Sequence, residues 1–298
     1  MADRLSVNIP LVRALIAEQF PRWTNLDIRP VEQQGWDNWS FRLGDRLTVR
    51  LPSAARYAAQ VEKEQRWLPR LAPLLPLAIP KPVAEGRPSA AYPYPWSVLE
   101  WIPGEPAARE NVFDQEILAA DAARFLRSLH AIDASDGPKA GDHNFYRGGP
   151  LRLYDGETRT ALEALKDDID VVAVTAVWGE ALRTGWDRPN VWVHGDVAPG
   201  NLLIDGGKLC AVIDFGCLGV GDPACDLVLA WTFLEEQGRK TFRGRLGLDD
   251  ATWARARGWA LWKALLIETG QSEPKSAERS ASKVIEAVLH DHRLHTTA

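Results

Sequence analysis

The sequence predicts an α+β chain of two lobes, a small antiparallel-sheet lobe over residues 1–102 and a mostly helical lobe over 103–298. Three observations predict it. Between Asn25 and Leu51, short apolar-rich runs separated by turn residues read as a strand meander. Beyond Gly104 the pattern changes from strands to helices, which sets the boundary near that residue. A short apolar run, Val191-Trp192-Val193, then leads through a polar loop into a second pair of strands.

Composition sets the limits. With 298 residues, 46% hydrophobic and 25% charged, the chain can build one sizeable core or two smaller ones. Its 13 tryptophans are expected as core or interface anchors, with a large apolar ligand as the other use. A net charge of −5 and a pI near 5.8 argue against nucleic acid or an anionic membrane as partner and agree with a cationic small molecule. No stretch approaches the roughly 18 uninterrupted apolar residues of a membrane span. Met1-Ala2-Asp3-Arg4 opens no signal peptide, so a cytoplasmic monomer or weak homodimer is expected. Cys210, Cys217 and Cys225 are odd in number and lack a Cys-x-x-Cys pair, which predicts buried free thiols.

The elements follow in order. Leu11, Leu15, Ile16 and Phe20 give Pro10 to Phe20 a helical stripe. Leu26-Asp27-Ile28, Trp39 to Leu43 and Arg46 to Leu51 read as strands, with a Gly44-Asp45 turn between the last two. Ala58 to Leu71 reads as a helix with Val61, Trp67, Leu68 and Leu71 on its apolar face. A Pro-rich connection from Pro69 to Pro82 precedes the apolar strand Pro95 to Trp101, which ends at Pro103-Gly104 and completes a five-stranded sheet. Asp114 is the expected N-cap of a long helix to Ala131. Gly141 to Tyr154 reads as loop, and Glu157 to Leu165, Asp226 to Glu236 and Ala251 to Thr269 as helices. A polar break, Gln271 to Ser282, precedes a last helix beginning at Val284.

The chemistry concentrates in His194-Gly195-Asp196-Val197-Ala198-Pro199-Gly200-Asn201 and Ile213-Asp214-Phe215-Gly216. Phosphoryl transfer needs a carboxylate to orient the attacking hydroxyl and hard oxygen ligands to hold magnesium. Asp196, Asn201 and Asp214 supply that set in the right order. Leu202 to Ile204, an Asp205-Gly206-Gly207 turn and Leu209 to Ile213 form a hairpin that returns Asp214 toward Asn201. Either triplet alone, His-Gly-Asp or Asp-Phe-Gly, would be an ordinary turn.

These residues resemble the aminoglycoside phosphotransferase family, small-molecule kinases of protein-kinase-like fold, in which His-Gly-Asp is followed by Asn five residues after the Asp. Gly221-Asp222-Pro223-Ala224-Cys225-Asp226-Leu227 resembles the family's Gly-Asp-Pro-x-x-Asp-Leu block. The resemblance covers most of the chain, most strongly Trp192 to Leu227. It implies transfer of the γ-phosphate of ATP, or of GTP, to a hydroxyl of a small molecule. Asp196 would be the catalytic base, and Asn201 and Asp214 the Mg2+ ligands.

Nucleotide binding is expected from the first lobe. Arg50 stands on the third strand where protein kinases place Lys, and its partner on the next helix is Glu64 by alignment, with Glu62 free to pair with Arg66 instead. Gln34 to Asn38 sits where a phosphate-covering loop belongs, without Gly-x-Gly-x-x-Gly, so it is either that loop, with backbone amides and Ser40 on phosphate, or a plain hairpin. The adenine is expected against the hinge, at the Glu100 carbonyl and the Ile102 amide, with Leu99 behind it.

The resemblance is looser for the acceptor. Glu235, Glu236, Asp249, Asp250 and Glu268 are either carboxylates for a polyamine or solvated charges. Asp222 and Asp226 are expected to brace the catalytic loop and the following helix, and His130 to be structural. His143, Asn144, Tyr146 and Arg147 either face ligand or belong to a surface loop. His290, His292 and His295 are either a metal tract or a frayed end. An aminoglycoside or other antibiotic heads the acceptor list, followed by choline-, homoserine- or sugar-type metabolites. A nucleotide-binding pseudokinase draws on Arg50 and the missing glycines; a metal hydrolase would use Asp196, His194 and Asp214.

Overall fold

The computed structural model describes residues 4–32, 34–107, 114–275 and 277–296. The Met1-Ala2-Asp3 opening, and Ser276 within the polar break, lie outside the described residues. Two compact units emerge, Met1–Pro103 with Val212–Cys217, and Gly104–Ala211 with Leu218–Ala298. A single boundary at residue 102 would leave 212–217 on the other side. That segment joins the first unit because the Val212 amide donates to Ala78 O at 3.0 Å and Lys63 Nζ to Gly216 O at 2.7 Å.

The first unit begins with α1 (Ile9–Gln19), whose N-cap Asn8 accepts from the Leu11 amide. It continues through β1 (Ile28–Pro30), β2 (Asn38–Leu43), β3 (Leu47–Pro52), α2 (Ala55–Leu71), β4 (Pro82–Gly86) and β5 (Trp96–Glu100). The strands form one antiparallel sheet in the order β1-β2-β3-β5-β4. Alternation assigns its two faces. Phe41, Val49 and Val98, paired across the sheet, join Val12, Leu15 and Ile16 of α1 in the core. The next row along, Ser40, Arg50 and Ser97, turns to the opposite face, where α2 packs: Gln65 of α2 donates to Ser97 Oγ at 3.0 Å.

The Pro-rich stretch is more structured than expected. α2 ends at Leu71, where the helix reading put it, and the addition is β4, an edge strand that Pro82 opens. Proline is tolerated at such a strand's first position because no ladder partner awaits its missing N–H there.

The second unit contains β6 (Glu105–Pro106), α3 (Gln115–His130), α4 (Asp155–Ala164), α5 (Val171–Arg183), β7 (Val191–Val193), β8 (Leu202–Asp205), β9 (Lys208–Val212), β10 (Gly219–Gly221), α6 (Leu229–Thr232), α7 (Glu236–Leu246), α8 (Asp250–Glu268) and α9 (Ala281–Thr296). Asp114 caps α3, accepting from Glu116 N at 2.7 Å and Ile117 N at 3.1 Å. β6, β8 and β9 make one small sheet, and β7 pairs antiparallel with β10. α8 is buried nearly all round, its Arg255 and Arg257 included, so it lies inside the helical unit, packed by α4, α5 and α9, with Trp253, Trp259 and Leu261 buried.

One expectation fails here, and one helix was not read at all. The helix expected over Asp226 to Glu236 is a 3-10 turn, Pro223–Leu227, then the one-turn α6; the chain breaks before α7. α5 was not anticipated, because Val171-Val172-Ala173-Val174-Thr175 is β-branched and signals strand. Asp170 caps it, accepting from Ala173 N at 3.0 Å, and Val174, Val177, Trp178 and Ala181 bury one face. Among the described residues no helix is long and apolar enough to cross a membrane. The three cysteines are free thiols.

Candidate active site

In the first unit, β3 alternation points Arg50 at α2 between the core residues Val49 and Leu51. Its Nη1 lies 3.3 Å from Glu64 Oε1 and its Nη2 donates to Asp214 Oδ1 at 2.8 Å. The Arg50 and Glu64 side chains are 13% and 5% exposed, whereas Asp214 is 33% exposed. Burial opposes the Arg50 charge, but Glu64 and Asp214 outweigh it, so the guanidinium stays cationic. Glu62 points to solvent, which leaves Glu64 as the partner. Asp214 has φ 66°, a left-handed backbone that Asp tolerates better than most residues and that costs about 1–2 kcal/mol. Lys63 donates to Gly216 O two residues on; burial lowers its ammonium to about 8, against the pull of Cys217, Glu64 and Asp37.

Ser40 shares the Arg50 face, but its backbone is committed. Gln34 Oε1 accepts from the Ser40 amide at 2.8 Å, and Gln34 Nε2 donates to Ser40 O at 2.9 Å and Val31 O at 2.7 Å. A single side chain thus straps the turn in place of the absent glycine pattern. At the end of β5, the Glu100 amide bonds Lys81 O at 2.9 Å and its side chain is exposed. Ile102 follows in extended chain, partly exposed, and Leu99 is buried. These hinge residues do not join the Arg50 cluster.

In the second unit, the β7–β10 ladder delivers His194 to Asn201 from the end of β7. Asp226 clamps this loop: its Oδ2 accepts from the His194 amide at 2.9 Å and its Oδ1 from the Gly195 amide at 2.7 Å. Gly195 has φ 81°, which explains glycine between the His and the Asp. The Asp196 amide donates to Nδ1 of the buried His194 ring at 3.2 Å. Asn201 Nδ2 donates to Asp196 O at 2.9 Å and Asp196 Oδ2 at 3.2 Å, which turns the amide oxygen, the atom magnesium takes, away from Asp196. Asp222 caps the following turn through Ala224 N at 3.1 Å and holds Arg255 bidentately at 2.6 and 3.2 Å. His130 Nε2 stands 3.6 Å from Asp226, against the clamp.

Three cations near Asp196 were not read as a group. Lys275 Nζ contacts Asp196 Oδ2 directly. Lys263 donates to both oxygens of Glu278, at 2.8 and 2.9 Å. Burial disfavours the Asp196 charge, but Lys275, Lys263 and Arg147 outweigh it and hold the carboxyl well below the usual range. Lys263 carried a signal, a lone charge in the apolar run Trp259 to Ile267, and Arg147 stood among the candidates; Lys275, in a polar break 79 residues from Asp196, carried none.

The candidate acceptor carboxylates are largely paired. Glu235 meets Arg279 at 2.9 Å, Glu236 meets Lys240 at 2.7 Å, Asp250 meets Arg243 at 2.7 Å, and Asp249 meets Arg188 while capping α8 through Thr252 N. Glu268 is exposed. His143 Nε2 contacts Lys139 O at 2.9 Å, and Asn144 is buried within its own loop. His290, His292 and His295 ride on α9, where His292 lies 2.8 Å from Glu180 and His295 contacts Asp291 O. Among the described residues no three His, Cys, Asp or Glu side chains converge as a metal site. Taken separately, the side-chain oxygens of Asn201 and Asp214 are hard donors of the kind magnesium takes with water and phosphate.

Comparison with known proteins bears on this geometry. A family model described as a phosphotransferase enzyme family matches residues 27–259. Over 150 residues the chain is 31% identical to an aminoglycoside 3'-phosphotransferase of Salmonella typhimurium, 47% of this chain and 53% of that protein. An aminoglycoside 3'-phosphotransferase of Escherichia coli matches with the same identity and coverage. The chain spans about half the length of the curated relatives it matches. The GDP and kanamycin complex of APH(2")-IIia has a TM-score of 0.70 at 19% identity, covering 95% of this chain and 99% of that one. Macrolide 2'-phosphotransferase MphH from Brachybacterium faecium has a TM-score of 0.62 at 20% identity, covering 94% and 97%. At such identities these structures speak to the fold, the kinase-like α+β architecture that the sequence predicts. The chain belongs to the phosphotransferase enzyme family whose model spans residues 27–259.

Proposed function

We propose that this chain moves the γ-phosphate of ATP or GTP to a hydroxyl of a small molecule. The observation that carries the reading is the clamped loop His194 to Asn201, in which Asp226 fixes the backbone and Asn201 bonds Asp196. Asp196 orients the acceptor hydroxyl and takes its proton as the oxygen bonds the γ-phosphorus; the bond to the bridging oxygen breaks and ADP or GDP leaves. Arg50, braced by Glu64, pairs with the nucleotide phosphates, with Ser40 on the same sheet face, and the base rests on the backbone of Glu100 and Ile102. Asn201 and Asp214 offer oxygens to magnesium, which when bound neutralises phosphate charge.

Relatives named for aminoglycosides and macrolides make antibiotic hydroxyls the first acceptors to try. The test is release of ADP and GDP by purified protein with magnesium, ATP or GTP and a panel of aminoglycosides, macrolides and small metabolic alcohols. Acceptor-dependent release lost in Asp196→Asn is expected. Release that survives in the variant overturns the assignment.

A further inference from the structure

We propose that the acceptor carries an acidic group beside its reacting hydroxyl and that Lys275 is the residue that reads it. This rests on the phosphotransferase reading and goes beyond it. The overall charge of −5 suits a cationic ligand, but the charged group in contact with the catalytic carboxylate is the ammonium of Lys275.

The Lys275 ammonium already sits on Asp196, where an acceptor amine would find its counter-ion. Lys263 adds a second cation, mostly buried and tied to Glu278. Arg147 adds a third: its guanidinium lies 5.0 Å from the ring centres of both Trp259 and Trp262, and its Nη1 is buried with no hydrogen-bond partner among the described residues. Tyr154 closes the cluster, 4.3 Å from Trp262. Four carboxylates that a polyamine could use elsewhere in this unit, Glu235, Glu236, Asp249 and Asp250, are held by arginine or lysine. A polycation arriving at Asp196 therefore has to displace the Lys275 ammonium, with Lys263 already offset by Glu278.

An acid group answers this arrangement: it gives the Lys275 ammonium a second partner, and as the ammonium turns to it the Asp196 oxygen that Lys275 covers is freed for the hydroxyl. The transfer step is otherwise unchanged: the proton goes to Asp196, the oxygen–phosphorus bond forms and the nucleoside diphosphate leaves.

The test uses the full chain with magnesium and a non-hydrolysable ATP or GTP analogue, and measures binding by calorimetry. The probes are two matched series, glucuronate, glucose and glucosamine, and mandelate, phenylethanediol and phenylglycinol, with kanamycin as the polycation. Wild type is expected to bind the acid of at least one series tenfold or more tighter than its amine and tighter than kanamycin. Lys275→Gln should shrink the acid-to-amine ratio below threefold, and Lys275→Glu should reverse it. A preference for amine or kanamycin, no binding of either acid, or an unchanged ratio in a folded Lys275 variant overturns the inference. Analogue binding and Asp196-dependent ADP or GDP release, measured alongside, keep the two readings apart: their loss sinks the phosphotransferase reading, whereas their presence with an amine-preferring site sinks only the acid-group inference.

Discussion

Replacing Arg50 by Met separates what the first unit needs for stability from what it needs for nucleotide. Glu64 would be left at 5% side-chain exposure with its cation gone, where burial, which already pushes its carboxyl upward, acts unopposed by Arg50, and breaking such a buried pair costs about 3–5 kcal/mol. Asp214 is a third exposed and screened by water, so its loss of Arg50 adds no more than about 1 kcal/mol. Glu64→Leu is milder, about 1–2 kcal/mol, because Arg50 keeps Asp214 at 2.8 Å. The double variant leaves no uncompensated buried charge and should lie within about 2 kcal/mol of wild type, a favourable coupling of at least about 2 kcal/mol. Urea unfolding followed by circular dichroism and tryptophan fluorescence, compared where the two probes coincide, measures the cycle. Calorimetry on the double variant should still show magnesium-nucleotide affinity weakened at least about tenfold, since the phosphate cation is gone. An Arg50→Met variant that loses less than about 1 kcal/mol, or a double variant costing the sum of the singles, refutes the buried-pair argument.

Two further outcomes follow from the same contacts. Asp226→Asn puts an NH2 against the amide of His194 or Gly195, leaving a buried donor unmet, so a loss of about 1–3 kcal/mol is expected. Misplacing the loop should lower turnover about a hundredfold with nucleotide affinity held within about threefold; turnover within about threefold of wild type contradicts the clamp. Lys63 titrates near 8 when folded against 10.5 unfolded, so between those values the unfolded chain binds more protons and stability rises with pH. The rise is up to about 3 kcal/mol, and below pH 8 the penalty of the buried charge stands in full. Lys63→Met should lack the rise, as read from urea midpoints at pH 7.5 and 10; an equal rise in the variant assigns it to other groups.

What the sequence made legible depended on local signals. The strand pattern placed Arg50 on the third strand, while the apolar stripe of α2 left both Glu62 and Glu64 open and only the family alignment favoured Glu64. Asp114 marked its helix, and the Asp205-Gly206-Gly207 turn its hairpin. Where local chemistry and tertiary context disagreed, context won. β-Branched residues became α5 because its buried face packs on α8, and Pro82 became an edge strand because nothing needed its N–H. Lys275 could not be placed, since its meaning comes from a fold that brings it across 79 residues to Asp196. Charge summed over the chain pointed to a cationic ligand, yet a site responds to the groups within a few ångströms of it.

The most direct test of the central claim is product analysis at saturating magnesium-nucleotide with wild type and Asp196→Asn side by side. The account predicts a monophosphorylated acceptor, formed in step with ADP or GDP, that disappears in the variant while nucleotide affinity stays within about threefold. Phosphorylated acceptor formed at the wild-type rate by Asp196→Asn would contradict it.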